Sequence, residues 1–408
     1  MKNKIKKFVS LSFVLLTALF FLVGCDEDPT SSLWDNPDLQ KPVGDTPVIT
    51  AITPANGAIS EITEIVITGT NFTADTAKIK VYFNGVVGTI TSTSATSISV
   101  ISPELEGDSV AIKVYVTGNL LFSNTWYYKI LPPSKELREF NETDKPKALT
   151  IDSQGFIYVS LVSNNVGAGV KKINPSTGQM TDYVPKGAET FWSGMKFGPD
   201  GSLYAAKNNL GIWKLTEGVT PPNTPWVITS PNRITDFDFD PNGYIWGGGA
   251  QGKIIRIDTG ATTKVYDVGI VALSVRVFKS GATTYLYVAG TKSNLYKIWR
   301  YEIDANNDII NETVYFDFST NLPTSKLNCI EIATSGKIYV GTADTDPIII
   351  INTDGTYEVL YTGKLSPEAI AFVWGDKLYY SRNGTGDVTS TIIGLNISDT
   401  PAPYYGVE

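Results

Sequence analysis

From Thr46 onward, apolar and polar residues alternate in short runs that turn residues break too often for helices to form. Ile65-Val66-Ile67-Thr68, the run Lys78 to Phe83, Ser97 to Ile101 and Val110 to Val116 keep the period of two that sends successive side chains to opposite faces of a strand. Gly69, Asn84-Gly85 and Glu106-Gly107-Asp108 separate them as turns. About seven such strands in residues 46–132 predict a β-sandwich. One region breaks the alternation. Phe8 to Val23 is a predominantly apolar stretch of 16 residues behind Lys2, Lys4, Lys6 and Lys7, and it ends in Leu22-Val23-Gly24-Cys25. A membrane-spanning helix needs roughly 20 apolar residues, so this run reads as a signal segment instead.

Residues 136–408 repeat themselves. A strand, a turn and a second strand with an aromatic recur as Ser153-Gln154-Gly155-Phe156-Ile157-Tyr158, Pro199-Asp200-Gly201-Ser202-Leu203-Tyr204 and Pro241-Asn242-Gly243-Tyr244-Ile245-Trp246. Three later copies end at Tyr287, Tyr339 and Tyr379, and the six anchors are 46, 42, 41, 52 and 40 residues apart. Six copies at that period predict six four-stranded blades. The segment Glu136 to Phe140, which precedes the first copy, is expected to give an outer strand to the last blade and so hide a sheet edge. The expected fold is all-β: an immunoglobulin-like β-sandwich followed by a six-bladed β-propeller.

Four stretches carry family resemblances. Leu22 to Cys25 resembles a bacterial lipobox, which implies cleavage after residue 24, acylation of Cys25 and a membrane anchor there. Residues 25–45, acidic from Asp26-Glu27-Asp28 and poor in apolar groups, read as a flexible tether. They are also similar to the export signal of Bacteroidota-type lipoproteins, which implies the outer membrane with the protein facing the exterior. Ile52-Thr53-Pro54-Ala55-Asn56-Gly57, Ile67-Thr68-Gly69-Thr70-Asn71-Phe72 and Val81-Tyr82-Phe83-Asn84-Gly85 resemble the IPT/TIG family, which implies a spacer or interaction module. In that motif, Gly69 and Asn71 are expected to form a tight turn before Phe72. The blades look like NHL-type repeats.

Composition narrows the chemistry. The net charge of −8, with four of the lysines in residues 1–24, opposes nucleic-acid binding. Histidine is absent, which removes imidazole bases, Ser-His-Asp triads and most zinc, copper and haem sites. Lyases of the streptogramin-inactivating kind, also six-bladed, use histidine. Cys329 is the only cysteine besides Cys25, and its apolar-alternating surroundings read as a buried small hydrophobe.

In propellers of this family, ligands meet the loops that lead into the inner strands and those between second and third strands. Here that picks out Trp192, Arg233, Asn328, Glu368, Arg382, Asn208 and Gln251, with Trp192 either a stacking platform for a sugar ring or a packed core residue. Asp236, Asp238 and Asp240 put three carboxylates on one face of a strand, a weak calcium candidate, since calcium takes six or more oxygens. Lys196, Arg276 and Glu331 fall at the same level of the inner strands, so a charge-compensated channel without metal is favoured. The expected function is non-catalytic binding of a polymer, a polysaccharide or an exported protein partner. A protein-interaction role in an envelope complex and a metal-dependent lactonase or lyase are the alternatives.

Overall fold

A computed structural model describes residues 44–207, 211–384 and 388–407. They divide mainly into a unit that ends at Lys129 and a larger one from Ile130 onward. Among the described residues no helix is long and apolar enough to cross a membrane.

The first unit is the sandwich. One sheet orders the strands Val48–Thr53, Glu64–Thr70, Ser97–Ile101 and Thr89–Thr93, and a five-stranded sheet faces it. Alternate residues such as Ile65, Ile67, Val81, Phe83, Ile98, Val100, Ile112 and Val114 fill the interior, so the period of two becomes burial. The two motif residues differ in role. Asn71 takes a left-handed φ of 62°. Gly69 instead sits in a strand, where a Cβ would come within 2.0 Å of the Val48 carbonyl and 2.4 Å of the Phe72 ring. Close packing, not turn geometry, excludes a side chain there.

In the second unit, five sheets are built from consecutive strands in sequence order, which is the blade pattern. The sixth is completed out of order: Ser134–Glu139 pairs antiparallel with Thr391–Leu395, beside Leu378–Arg382 and Ala371–Trp374. The first strands of the six blades are Asp144–Ile151, Gly194–Phe197, Asp236–Phe239, Val271–Ser280, Leu327–Ile332 and Ala371–Trp374, each in contact with the next until the last meets the first. The ring therefore closes around a central channel. Between the blades lie separate aromatic and aliphatic clusters, and Trp213, Trp246, Trp299 and Trp374 are buried in them.

The aromatic anchors have a physical role. Tyr158 Oη donates to Asp152 at 2.8 Å, Tyr204 Oη to Asp200 at 3.1 Å, Trp246 Nε1 to Asp240 at 2.8 Å and Tyr379 Oη to Asp376 at 2.8 Å. In each case the aspartate belongs to the turn between the first two strands of the blade. The ring fills the blade interface while its polar tip fixes the turn.

Candidate functional site

The inner strands begin at one face of the ring, and their N-terminal ends surround a cavity of about 400 Å³. Lys147, Phe191, Thr235, Asn328, Glu368 and Asn383 contribute polar and aromatic groups, while Leu149, Met195, Ile370 and Phe372 supply apolar wall. Phe191 keeps 38% of its surface exposed, and the Lys147 ammonium lies 5.7 Å from its ring centroid. Burial and the neighbouring Lys145 push the Lys147 pKa down, while Glu368 opposes them. Asn328 Nδ2 donates to the Ala369 carbonyl at 3.0 Å, which fixes the amide beside the loop that holds Glu368. Glu368 has a φ of 68°, a conformation costly for any residue with a Cβ and found where surrounding structure holds it.

The cavity floor is ionic. Arg276 donates to Asp236 at 2.7 Å and to Glu331 at 2.9 Å, and Lys196 stands 3.9 Å from Glu331. Asp236 also accepts from Ser274 Oγ and from the Val275 amide, each at 3.0 Å. These contacts hold the Asp236 carboxyl below its ordinary range despite burial. Among the described residues Asp238 accepts only the Val277 amide, at 2.9 Å, and burial pushes it up to about 6 against the pull of Lys196 and Arg276. Burial likewise pushes the Cys329 thiol up, so it stays protonated and unreactive.

Beneath the ionic layer the end of the chain crosses the channel. The Ala402 amide donates to the Ile332 carbonyl at 3.0 Å, Tyr404 Oη to the Phe197 carbonyl at 3.3 Å, and the Lys279 amide to Tyr405 Oη at 3.0 Å. Lys196 lies 4.7 Å from the Tyr404 ring centroid. Between tail and ionic layer remains a space of about 40 Å³, room for no more than a few water molecules.

The sequence-derived candidates scatter. Asn328 and Glu368 line the cavity. Trp192 does not: it is 1% exposed, its ring 5.4 Å from that of Trp213, so it is a packing residue and no platform. Its neighbour Phe191 is the exposed aromatic at the mouth, in the loop that leads into the same inner strand. Arg382 is buried in the strand Leu378–Arg382 and faces Glu136 of the ring-closing strand at 3.5 Å. Arg233 and Gln251 are exposed and bonded to each other, Gln251 Oε1 accepting the Arg233 amide at 2.8 Å, away from the residues lining the cavity. Asn208 and Cys25 fall outside the described residues. Lys147, which the sequence did not single out, lies within the inner strand Asp144–Ile151, and Asn383 directly follows the second strand Leu378–Arg382.

The three aspartates do not act as one set. Asp236 and Asp238 reach the next blade, whereas Asp240 accepts the Asn242 and Tyr244 amides at 2.8 and 3.0 Å and Trp246 Nε1 within its own turn. Among the described residues no group of three or more acidic or thiol side chains is placed to hold a metal. The guanidinium and ammonium between the carboxylates oppose a cation directly, so the residues present do not fit calcium.

The IPT/TIG domain family matches residues 47–129. No curated protein matches the sequence. Among solved structures, a luciferin-regenerating enzyme is similar at 18% identity and a TM-score of 0.52, covering 66% of this chain and 98% of its own. Regucalcin from Agrobacterium tumefaciens, described as a calcium-binding protein, follows at 16% and 0.51, covering 66% and 96%. An auxiliary nutrient binding protein from Bacteroides thetaiotaomicron aligns over 87% of this chain and 98% of its own at 13% identity and a TM-score of 0.46. At such identities the likeness speaks to fold alone. The chain is an all-β protein in which an IPT/TIG domain precedes a six-bladed β-propeller.

Proposed function

We propose that this chain is a lipid-anchored protein of the outer cell surface whose propeller binds a polysaccharide without transforming it. The observation that supports this reading is the cavity at the inner-strand ends. It joins a ring face at Phe191, hydrogen-bonding groups at Asn328, Thr235 and Asn383, and one charge of each sign at Lys147 and Glu368. Pyranose rings stack on aromatic faces while their hydroxyls need donors and acceptors together, so the set suits a sugar unit. Among the described residues the Asn383 Oδ1 is buried without a hydrogen-bond partner, an acceptor that a ligand hydroxyl would satisfy. The carboxylates deeper in the channel support binding over catalysis, because Asp236 and Glu331 are committed to Arg276.

A glycan array followed by calorimetry tests the proposal. Phe191→Ala and Glu368→Gln should each weaken a recognised glycan by roughly tenfold, about 1.4 kcal/mol, with the thermal midpoint unchanged. Absence of binding across a broad glycan panel, or turnover of a lactone or polysaccharide by the unmodified protein, would overturn it. Capture of an exported protein through the same residues would favour the interaction-module alternative.

A further inference from the structure

The sandwich carries an apolar outcrop that its core does not use. Between the strands Gly107–Val116 and Trp126–Leu131, the loop exposes Leu120 at 69%, Leu121 at 61% and Phe122 at 46%. Phe122 turns back onto the outer face of the sheet, its ring 5.5 Å from Tyr82 and 5.3 Å from Tyr115. Leu120 and Leu121 keep most of their surface in solvent. On the same sheet Lys80 pairs opposite Tyr115 and Lys113 opposite Tyr82, and both lysines are exposed. The result is an aliphatic tip beside a face of alternating aromatic and basic residues, in a chain whose net charge is −8.

The tip also sits where the tether reaches the domain. Asn119, next to Leu120, donates from Nδ2 to the Asp45 carbonyl at 3.0 Å, and a Cβ at Gly44 would lie 3.1 Å from Asn119 Oδ1. Cys25 stands 20 residues upstream of Asp45, within about 65 Å even if fully extended.

We infer that this loop is a second membrane contact, with Leu120 and Leu121 entering the interfacial layer of an anionic bilayer while Lys80 and Lys113 meet its headgroups. Adjacent apolar residues beside basic ones match an interface that is hydrocarbon on one side and anionic on the other. Placement beside Asp45, where residues 25–45 join the domain, keeps the loop within that segment's reach of the membrane that the anchor reading implies. At the high local concentration a tether imposes, a contact too weak to act alone holds the sandwich against the bilayer.

The test uses the chain from Asp26 onward, free of acyl groups, so that it stands apart from the anchor reading and from glycan binding by the propeller. It is floated with vesicles of phosphatidylcholine, with and without phosphatidylglycerol. Vesicles containing phosphatidylglycerol should carry the protein, and Leu120→Asp with Leu121→Asp should cut the bound fraction roughly tenfold without moving the thermal midpoint. Lys80→Glu with Lys113→Glu should abolish the preference for phosphatidylglycerol. No flotation on anionic vesicles, or flotation unchanged in the leucine pair, would overturn the inference. So would a soluble anionic glycan such as polygalacturonate binding these residues while vesicles do not.

Discussion

Phe191 and Trp192 are adjacent in the chain and have opposite fates, because the backbone approaching an inner strand already turns alternate side chains toward the mouth and toward the neighbouring blade. The same register explains the ionic layer. Asp236 and Glu331 balance Lys196 and Arg276, which leaves Asp238 as a charge too many in a buried place, and its pKa rises to about 6. A raised carboxyl means that the folded state keeps a proton which the unfolded chain releases above about pH 4. The stabilisation it provides is thus present at low pH and lost as pH rises through about 6. Asp238→Asn should raise the thermal midpoint near neutral pH by roughly 2–6 °C, a gain of about 1–3 kcal/mol, and flatten the fall in stability between about pH 4 and 6. Melting curves across that range check it, and an unchanged slope would refute the assignment. Composition and strand alignment made the balance of charges legible. The surplus carboxylate was not, since it depends on which blade each oxygen reaches.

The blades were readable as elements because each carries a buried aromatic at the blade interface, and in four of the six that aromatic also bonds to a turn aspartate, as in Asp152 with Tyr158 and Asp200 with Tyr204. Repeated physics writes a repeated sequence. Inner-strand beginnings carry no such shared signature, which is why Asn328 and Arg382, both assigned to loops, lie in the strands Leu327–Ile332 and Leu378–Arg382, while Glu368 does lie in a loop at the cavity. The strand Ser134–Glu139 is unlike any repeat, yet it completes the last sheet with Thr391–Leu395. Neighbouring residues of a strand point their amides to opposite sides. Prolines at Lys135 and Glu136 together must therefore remove at least one ladder bond, and they also take Glu136 from the buried Arg382. A loss of about 1–3 kcal/mol is expected, read as a lower thermal midpoint of the whole propeller. Melting that leaves the propeller transition in place would mean the ring holds without this strand.

At the scale of the whole molecule, the proposed anchoring rests on Cys25 at the end of the apolar run, which only cell-based measurement reaches. Cys25→Ala should abolish incorporation of a clickable fatty acid, and undiminished labelling would end the lipoprotein proposal. Architecture was legible here because hydrophobic period and repeat length are global properties of the chain. Ligand identity was not, because it turns on a handful of side chains whose directions depend on local register. The tail that passes under the ring, through Ala402 and Tyr404, gives the propeller a closed base. A ring with a base is a cup and not a tunnel. Nothing long can be threaded through it, so a polymer seated in the cavity must dip in by a terminus or a side branch while its main chain stays outside. Occupancy should therefore follow the number of free ends and branches rather than total length, and shearing an unbranched polymer to half its size would double the ends that a given mass offers to such cups.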